Sequence, residues 1–185
     1  MSTTASNDSS KSKVFDLTRI QLVEVLFLDC TIRHESASTQ ADNNSFQIDR
    51  LVLTPDFDMA EQRVSYTLEL HINGMTEEGS LSGLRGEFRL YFKFAIDGIQ
   101  EYSMTNASRK EPFPATDLMI MLGGVAYSTT RGMLFGKTAG TPLSGFALPL
   151  RNPKELFFES IKLLEAEAKA VAKKRAPAKR KPKAE

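Results

Sequence analysis

Two stretches of strict alternation constrain this chain most. Arg63 to Asn73, RVSYTLELHIN, puts Val64, Tyr66, Leu68, Leu70 and Ile72 on one side and Ser65, Thr67, Glu69 and His71 on the other. Gly86 to Ile96, GEFRLYFKFAI, sets Phe88, Leu90, Phe92, Phe94 and Ile96 against Glu87, Arg89, Tyr91, Lys93 and Ala95. Successive side chains of a strand point to opposite faces, so a period of two marks a strand with one dry and one wet face. Strands of that kind belong in an antiparallel sheet covered on one side only. Two further stretches join them. Phe46 to Thr54, FQIDRLVLT, reads as a strand with Phe46, Ile48, Arg50 and Val52 on one face. Pro55 is expected to end it, with DFDMAEQ as a turn. The run DLTRIQLVEVLFLDCTIR, from Asp16, alternates imperfectly and is apolar on both faces from Val25 to Leu28. A strand buried on both sides, or paired with a neighbouring subunit, reads this way. The polar stretch His34 to Asn44 separates these first two strands, and GMTEEGSLSG separates the last two. The expected sheet is four-stranded and antiparallel, a meander with a long first crossover loop.

Then the period changes. PFPATDLMIMLGGVAYSTTRG opens with prolines, and Thr116 and Asp117 suit a helix N-terminus. Leu118 to Leu122 is apolar around the whole circumference, which predicts a helix buried on most sides. The small residues Gly123, Gly124, Ala126 and Ser128 would let another helix approach closely, although glycine weakens an isolated helix. A single subunit of this size is a poor hiding place for such a helix, so an oligomer is expected. The next stretch, Thr129 to Phe158, is oily but broken. Met133, Leu134, Phe135, Leu143, Phe146, Leu148 and Leu150 stand among four glycines and three prolines, a text that does not predict a regular helix. Loops lie in water and are usually polar, so an apolar one needs a reason. Asn152 then suits an N-cap, Pro153 the first helical position and Glu155 a capping box. This second helix is expected to reach about Lys173. Leu156, Phe157, Ile161, Leu163 and Leu164 form its apolar side, and it is expected to protrude into water beyond Glu165. The fold class is α+β, a four-stranded antiparallel sheet packed with two helices.

Composition bounds the class of partner. The 185 residues suffice for one domain with a core, and 41% hydrophobic and 25% charged residues are ordinary for a soluble globular protein. No apolar run approaches the roughly 18 residues of a membrane span. The opening MSTTASNDSSKSK has no apolar segment behind its charges, so it does not read as a secretory signal. Residues 1–14 are expected to be disordered, 15–172 to form the domain, and 173–185 to be a basic disordered tail. The net charge of +1 hides an asymmetry: the last 13 residues carry +6 and the rest −5. Basic tails often touch nucleic acid, acidic lipid or acidic protein, although a solvated tail is the simpler reading. Cys30 is the only cysteine, so an intramolecular disulfide is impossible and a reducing cytoplasm is expected.

Catalysis needs groups that can be poised together. His34 and His71 are the only histidines, one in a polar loop and one on a wet strand face. Cys30 reads as a packing residue in a strand, with no base nearby in sequence. GKTAGT at 136–141 has a Lys-Thr pair but lacks the frame of a phosphate-binding loop. No Cys/His spacing suits a metal. No catalytic residue, metal or cofactor is expected, and the chain does not read as an enzyme.

The order of elements, with one motif, resembles the SecB family of export chaperones over residues 15–165. The residues that carry it are Phe113-Pro114 opening the first helix and Arg131-Gly132 closing it, then Phe146, Leu148 and Asn152 followed by Leu156-Phe157. The family's loop before the last helix has the form F-P-x-L-x-L-x-P-x-N-F. Here the loop is longer, ends in PLRN, and has Pro153 where the family has an aromatic. The resemblance implies an ATP-independent holdase that binds unfolded polypeptides and preproteins in apolar grooves, and an export role. It also implies a homotetramer, a dimer of dimers. Its candidate polypeptide contacts are Met133, Leu134, Phe135, Leu143, Phe146, Leu148, Phe157 and Phe158, with Leu26 and Leu28. Its candidate oligomer interface is the first helix, through Leu118, Met119, Met121, Leu122, Gly123, Gly124 and Tyr127. Implied partners are unfolded clients, and either the SecA motor or the antitoxin of a toxin–antitoxin–chaperone system. Nucleic acid, through the basic tail, ranks last among the three readings.

Overall fold

The structure, a computed structural model, describes residues 15–34, 45–106 and 109–175. The elements are β1 (Ile20–His34), β2 (Ser45–Asp58), β3 (Arg63–Met75), β4 (Leu81–Ile96), β5 (Ser103–Asn106), β6 (Arg109–Pro114), α1 (Thr116–Thr138) and α2 (Pro153–Arg175). The main sheet runs β1-β4-β3-β2, every neighbour antiparallel. β2, β3 and β4 are therefore a meander, and β1 reaches across to the far side of β4. The disorder expected for residues 1–14, most of the polar loop before β2, and the tail from 176 onward lie outside the described residues.

The alternation in β3 and β4 has the predicted result. Val64, Tyr66, Leu68, Leu70, Ile72, Phe88, Leu90, Phe92, Phe94 and Ile96 are all buried, at 0–2% exposure. The reading of β2 needs two corrections. A bulge between Ile48 and Arg50 leaves Asp49 without an opposite residue, so the inward set switches from Phe46 and Ile48 to Leu51 and Leu53. Arg50 and Val52 share the other face with His71 and Glu69. One extra residue flips everything after it, because the side-chain period is two. Pro55 does not end the strand. It sits opposite Tyr66 on an edge, where a missing N–H removes no ladder bond. The hairpin β5–β6 was not foreseen; its strands of four and six residues are too short to show a period.

α1 is longer than the resemblance implied. It does not close at Arg131-Gly132 but continues to Thr138, so Met133, Leu134 and Phe135 lie on a helix rather than a loop. The reason is a stripe at every fourth position. Leu118, Leu122, Ala126, Thr130, Leu134 and Thr138 are each 0–1% exposed. Two of the six are threonines, whose hydroxyls donate to the carbonyls of Ala126 and Leu134, both at 2.9 Å. An amphipathic face buried against a sheet outweighs the roughly 1 kcal/mol that each helical glycine costs. The helix begins at Thr116, with Ala115 in the cap position.

α1 lies on the inner face of the sheet. A Cβ at Gly123 would come 2.9 Å from Leu53 Cδ2, so glycine sets the closeness of helix and sheet there. The buried Tyr66 hydroxyl donates to the Met119 carbonyl at 2.5 Å. Burial pushes the Tyr66 phenol well above its ordinary pKa.

α2 starts as predicted: Pro153 is its first residue, and Asn152 Oδ1 accepts from the Lys154 N–H at 2.9 Å. It guards the β2 edge. Ser160 Oγ accepts the Leu53 N–H at 3.0 Å, and both residues are 1% exposed. Exposed edges invite strand pairing, and a covering helix blunts this one. Ser160→Ala would leave that N–H buried without a partner and should destabilise the fold by about 1–3 kcal/mol, read from the urea midpoint. Two turns on, the Arg50 guanidinium grips Glu167 at 2.5 and 3.2 Å while its Nε holds Glu69 at 3.1 Å. Leu163 is half out, at 38% exposure, rather than on the buried side.

Arg50 holds the Glu167 carboxyl below its usual pKa. A carboxylate with a depressed folded-state pKa stabilises the fold fully above its unfolded value, about 4.3, and loses that contribution as pH falls through the folded value. The clasp should therefore be complete at neutral pH and open only in acid. The Arg50 Nη–H resonances, which face Glu167, should hold still down to about pH 5 and move only below the ordinary carboxylate range, and Glu167→Gln should remove that transition.

Candidate functional site

The site is built around residues 139–152, which join the two helices. They leave α1 through tight turns: Thr141 N–H donates to Thr138, Ser144 to Thr141, and Phe146 to Leu143. Gly140 (φ +73°) and Gly145 (φ +88°) hold left-handed conformations that other residues rarely adopt. Phe146 and Leu148 then point in, while Ala147 and Pro149 point out. Leu143 sits over Gly86, where a Cβ would come 2.6 Å from its Cδ1. Phe146 meets Phe46 edge to face at 5.6 Å. Two residues of α1 splint the backbone of this segment. Arg131 Nε donates to the Leu148 carbonyl at 2.9 Å, and Tyr127 OH to the Pro149 carbonyl at 2.8 Å.

The candidate contacts therefore divide. Leu134, Leu143, Phe146, Leu148 and Phe157 are core in this chain, at 0–8% exposure, and Met133 is partly buried. Phe135 (65%), Leu150 (83%) and Phe158 (41%) face solvent. Phe158 edges an open hollow of about 410 Å3, shared with Asn152, Lys154, Glu155, Glu159 and Lys162. Leu26 and Leu28 belong to another surface. Leu26 lies opposite Tyr91 on the outer face of the sheet, and Leu28 sits in a β1 bulge. They are 44% and 50% exposed, beside Val23 in the other β1 bulge at 50%. The structure thus does not bring Leu26 and Leu28 together with Leu143 and Phe146.

The candidate interface on α1 divides in the same way. Leu118, Met119, Leu122, Gly123 and Tyr127 are buried against their own chain. Gly124 is half-buried beside Pro153, and Met121 is half-buried. The outward side of α1 instead carries Val125 (42% exposed), Ser128, Gly132 and Phe135. Sequence reasoning missed Val125 and Val23. The helical period would have found the first, since it lies seven residues before Gly132. The second follows from a bulge that pairing alone reveals.

Among the described residues no cluster of His, Cys, Asp or Glu could hold a metal ion, and no helix is long and apolar enough to cross a membrane. His71 lies on the wet face of β3 and His34 is the last residue of β1.

No family model and no curated protein sequence matches the chain. Its shape does match. A four-stranded antiparallel sheet backed by two helices, with this order of elements, is the SecB-like chaperone fold. Among solved structures, the chain is similar to a SecB-like chaperone of Mycobacterium tuberculosis in complex with a ChAD peptide from the HigA1 antitoxin. The TM-score is 0.50 at 11% identity, over 72% of this chain and 91% of that one.

Proposed function

We propose that this chain is an ATP-independent molecular chaperone, a holdase that binds non-native polypeptide through apolar surface. The observation that carries the reading is the fold shared with a chaperone solved holding a peptide. The chain's own residues supply a mechanism. Phe135, Leu150 and Phe158 meet a client first. Segment 139–152 swings out on Gly140 and Gly145, and Leu134, Leu143, Phe146, Leu148 and Phe157 then line the opened groove. Apolar contact contributes roughly 25 cal/mol per Å2 and reads no sequence. The outer edge of β1, the end strand that pairs only with β4 among the described residues, adds backbone pairing to an extended client. A holdase needs no nucleotide, because it works by binding the unfolded chain in preference to the folded one. The outer strip of Leu26 and Leu28 is a second contact. The working form is a homotetramer, a dimer of dimers, assembled through the outward side of α1 at Val125, Ser128 and Gly132, which leaves Phe135, near the end of the helix, to the client, in a reducing cytoplasm.

Two client ranges fit this mechanism. One is general, keeping preproteins competent for export with SecA as partner. The other is dedicated, with one client such as an antitoxin, and the neighbour's antitoxin peptide favours it. The test is light scattering from an aggregating, chemically unfolded protein, with and without the chain and with no ATP. Suppression at stoichiometric amounts supports the holdase, and unaltered aggregation of every client tried removes it. Affinities within about tenfold across unrelated unfolded chains mark the general range, and a preference of about a hundredfold for one marks the dedicated range.

A further inference from the structure

The segment between the helices is fastened unevenly. Its start is free to turn: Gly140 and Gly145 hold left-handed conformations, and a Cβ at either would meet nothing within 4 Å. Its far end is pinned. Tyr127 OH donates to the Pro149 carbonyl at 2.8 Å, and Arg131 Nε to the Leu148 carbonyl at 2.9 Å. Tyr127 and Arg131 are four residues apart on α1, so they project from one face of the helix. Among the described residues these are the only hydrogen bonds to the backbone from Ala147 to Leu150. Tyr127 is 4% exposed, and burial raises its phenol pKa, so it stays a donor throughout the neutral range. Phe146 and Leu148 hold the same stretch by apolar contact, which a client can replace. The two hydrogen bonds are different. They are directional and weaken steeply once bent below about 120°, so they fix one position of the segment.

We propose that Tyr127 and Arg131 are a latch that holds the groove shut, and that releasing it raises the affinity for client. The latch presupposes the chaperone reading and supplies its control. A client needs Leu143, Phe146 and Leu148, which the closed segment turns toward its own sheet. Observed affinity is then reduced by the fraction of chains that stand open. Loss of either latch bond raises that fraction, so a single change lowers stability and tightens binding together. One hydrogen bond of ordinary net strength is a factor of about five in the opening equilibrium. A residue that served the fold alone would lower stability and leave affinity where it was.

Tyr127→Phe and Arg131→Met keep most of each side chain and remove the donor. Two quantities are read on the full chain. One is amide hydrogen exchange at Phe146, whose N–H donates to the Leu143 carbonyl across Gly145. The other is affinity for reduced, carboxymethylated lactalbumin carrying a fluorophore. Each variant should exchange at Phe146 at least about fivefold faster and bind the lactalbumin at least about fivefold more tightly. Ser160→Ala is the control, because it weakens the fold at the β2 edge and leaves the latch intact. It should match the unaltered protein in both quantities. Unchanged exchange in the two latch variants would overturn the latch and leave the chaperone reading standing. Faster exchange with equal or weaker binding, or the same gain in affinity for Ser160→Ala, would overturn its control of affinity. Faster exchange with no lactalbumin bound by any of these proteins would overturn the chaperone reading, and the latch's role with it.

Discussion

Phe146→Ala should destabilise the fold by about 3–5 kcal/mol, whereas Leu150→Ala, four residues along the same extended segment, should change stability by no more than about 0.5 kcal/mol. Both are large apolar side chains in an irregular stretch. Phe146 is 3% exposed and stacks edge to face on Phe46, so truncation removes buried area and leaves a cavity. Leu150 is 83% exposed, and little is lost with it. Urea unfolding of the two variants, followed by circular dichroism, checks the contrast. Equal destabilisation would mean that the segment does not pack on the sheet as described.

The second large effect concerns clients. Replacing Phe135, Leu150 and Phe158 together by Ser should weaken binding of an unfolded chain about a hundredfold. Fully burying such a side chain is worth about 1.5–3 kcal/mol. Partial burial in the free protein and the ordering of the client reduce this to about 1 kcal/mol each. Three such losses exceed the roughly 2.8 kcal/mol that a hundredfold change requires. All three residues are at least 41% exposed, so the melting temperature should hardly move. Titration of a fluorescent, reduced model chain into the variant reads the affinity. If it is unchanged, contact is made elsewhere, and the Leu26 and Leu28 strip on the outer face is the next surface to alter.

The faces of β3 and β4 were legible because a strand's period is local and each stretch ran for at least five unbroken alternations. The face of β2 after Ile48 was not, since the Asp49 bulge is a property of pairing with β3 and leaves no mark in the composition. The end of α1 was misread because the resemblance places it at Arg131-Gly132 and because the glycines and prolines that follow look like breakers. At Thr130 and Thr138 the buried hydroxyl donates to the carbonyl one turn back, so neither threonine carries an unpaired donor into the core and the buried stripe runs on. The oily segment was found but not its two sides. Which of Leu143, Phe146, Leu148 and Leu150 points inward depends on Gly86 and Phe46, which lie far away in sequence. The N-cap of α2 was readable because Asn152, Pro153 and the first turn are contiguous.

The central claim is that the chain captures unfolded polypeptide as an oligomer. Native mass spectrometry of the purified protein, with and without an unfolded model chain and its folded form, tests it most directly. The account predicts a tetramer that gains the mass of the unfolded chain and ignores the folded one. A monomer that takes up neither would contradict it, and would leave the apolar segment between the helices as core alone.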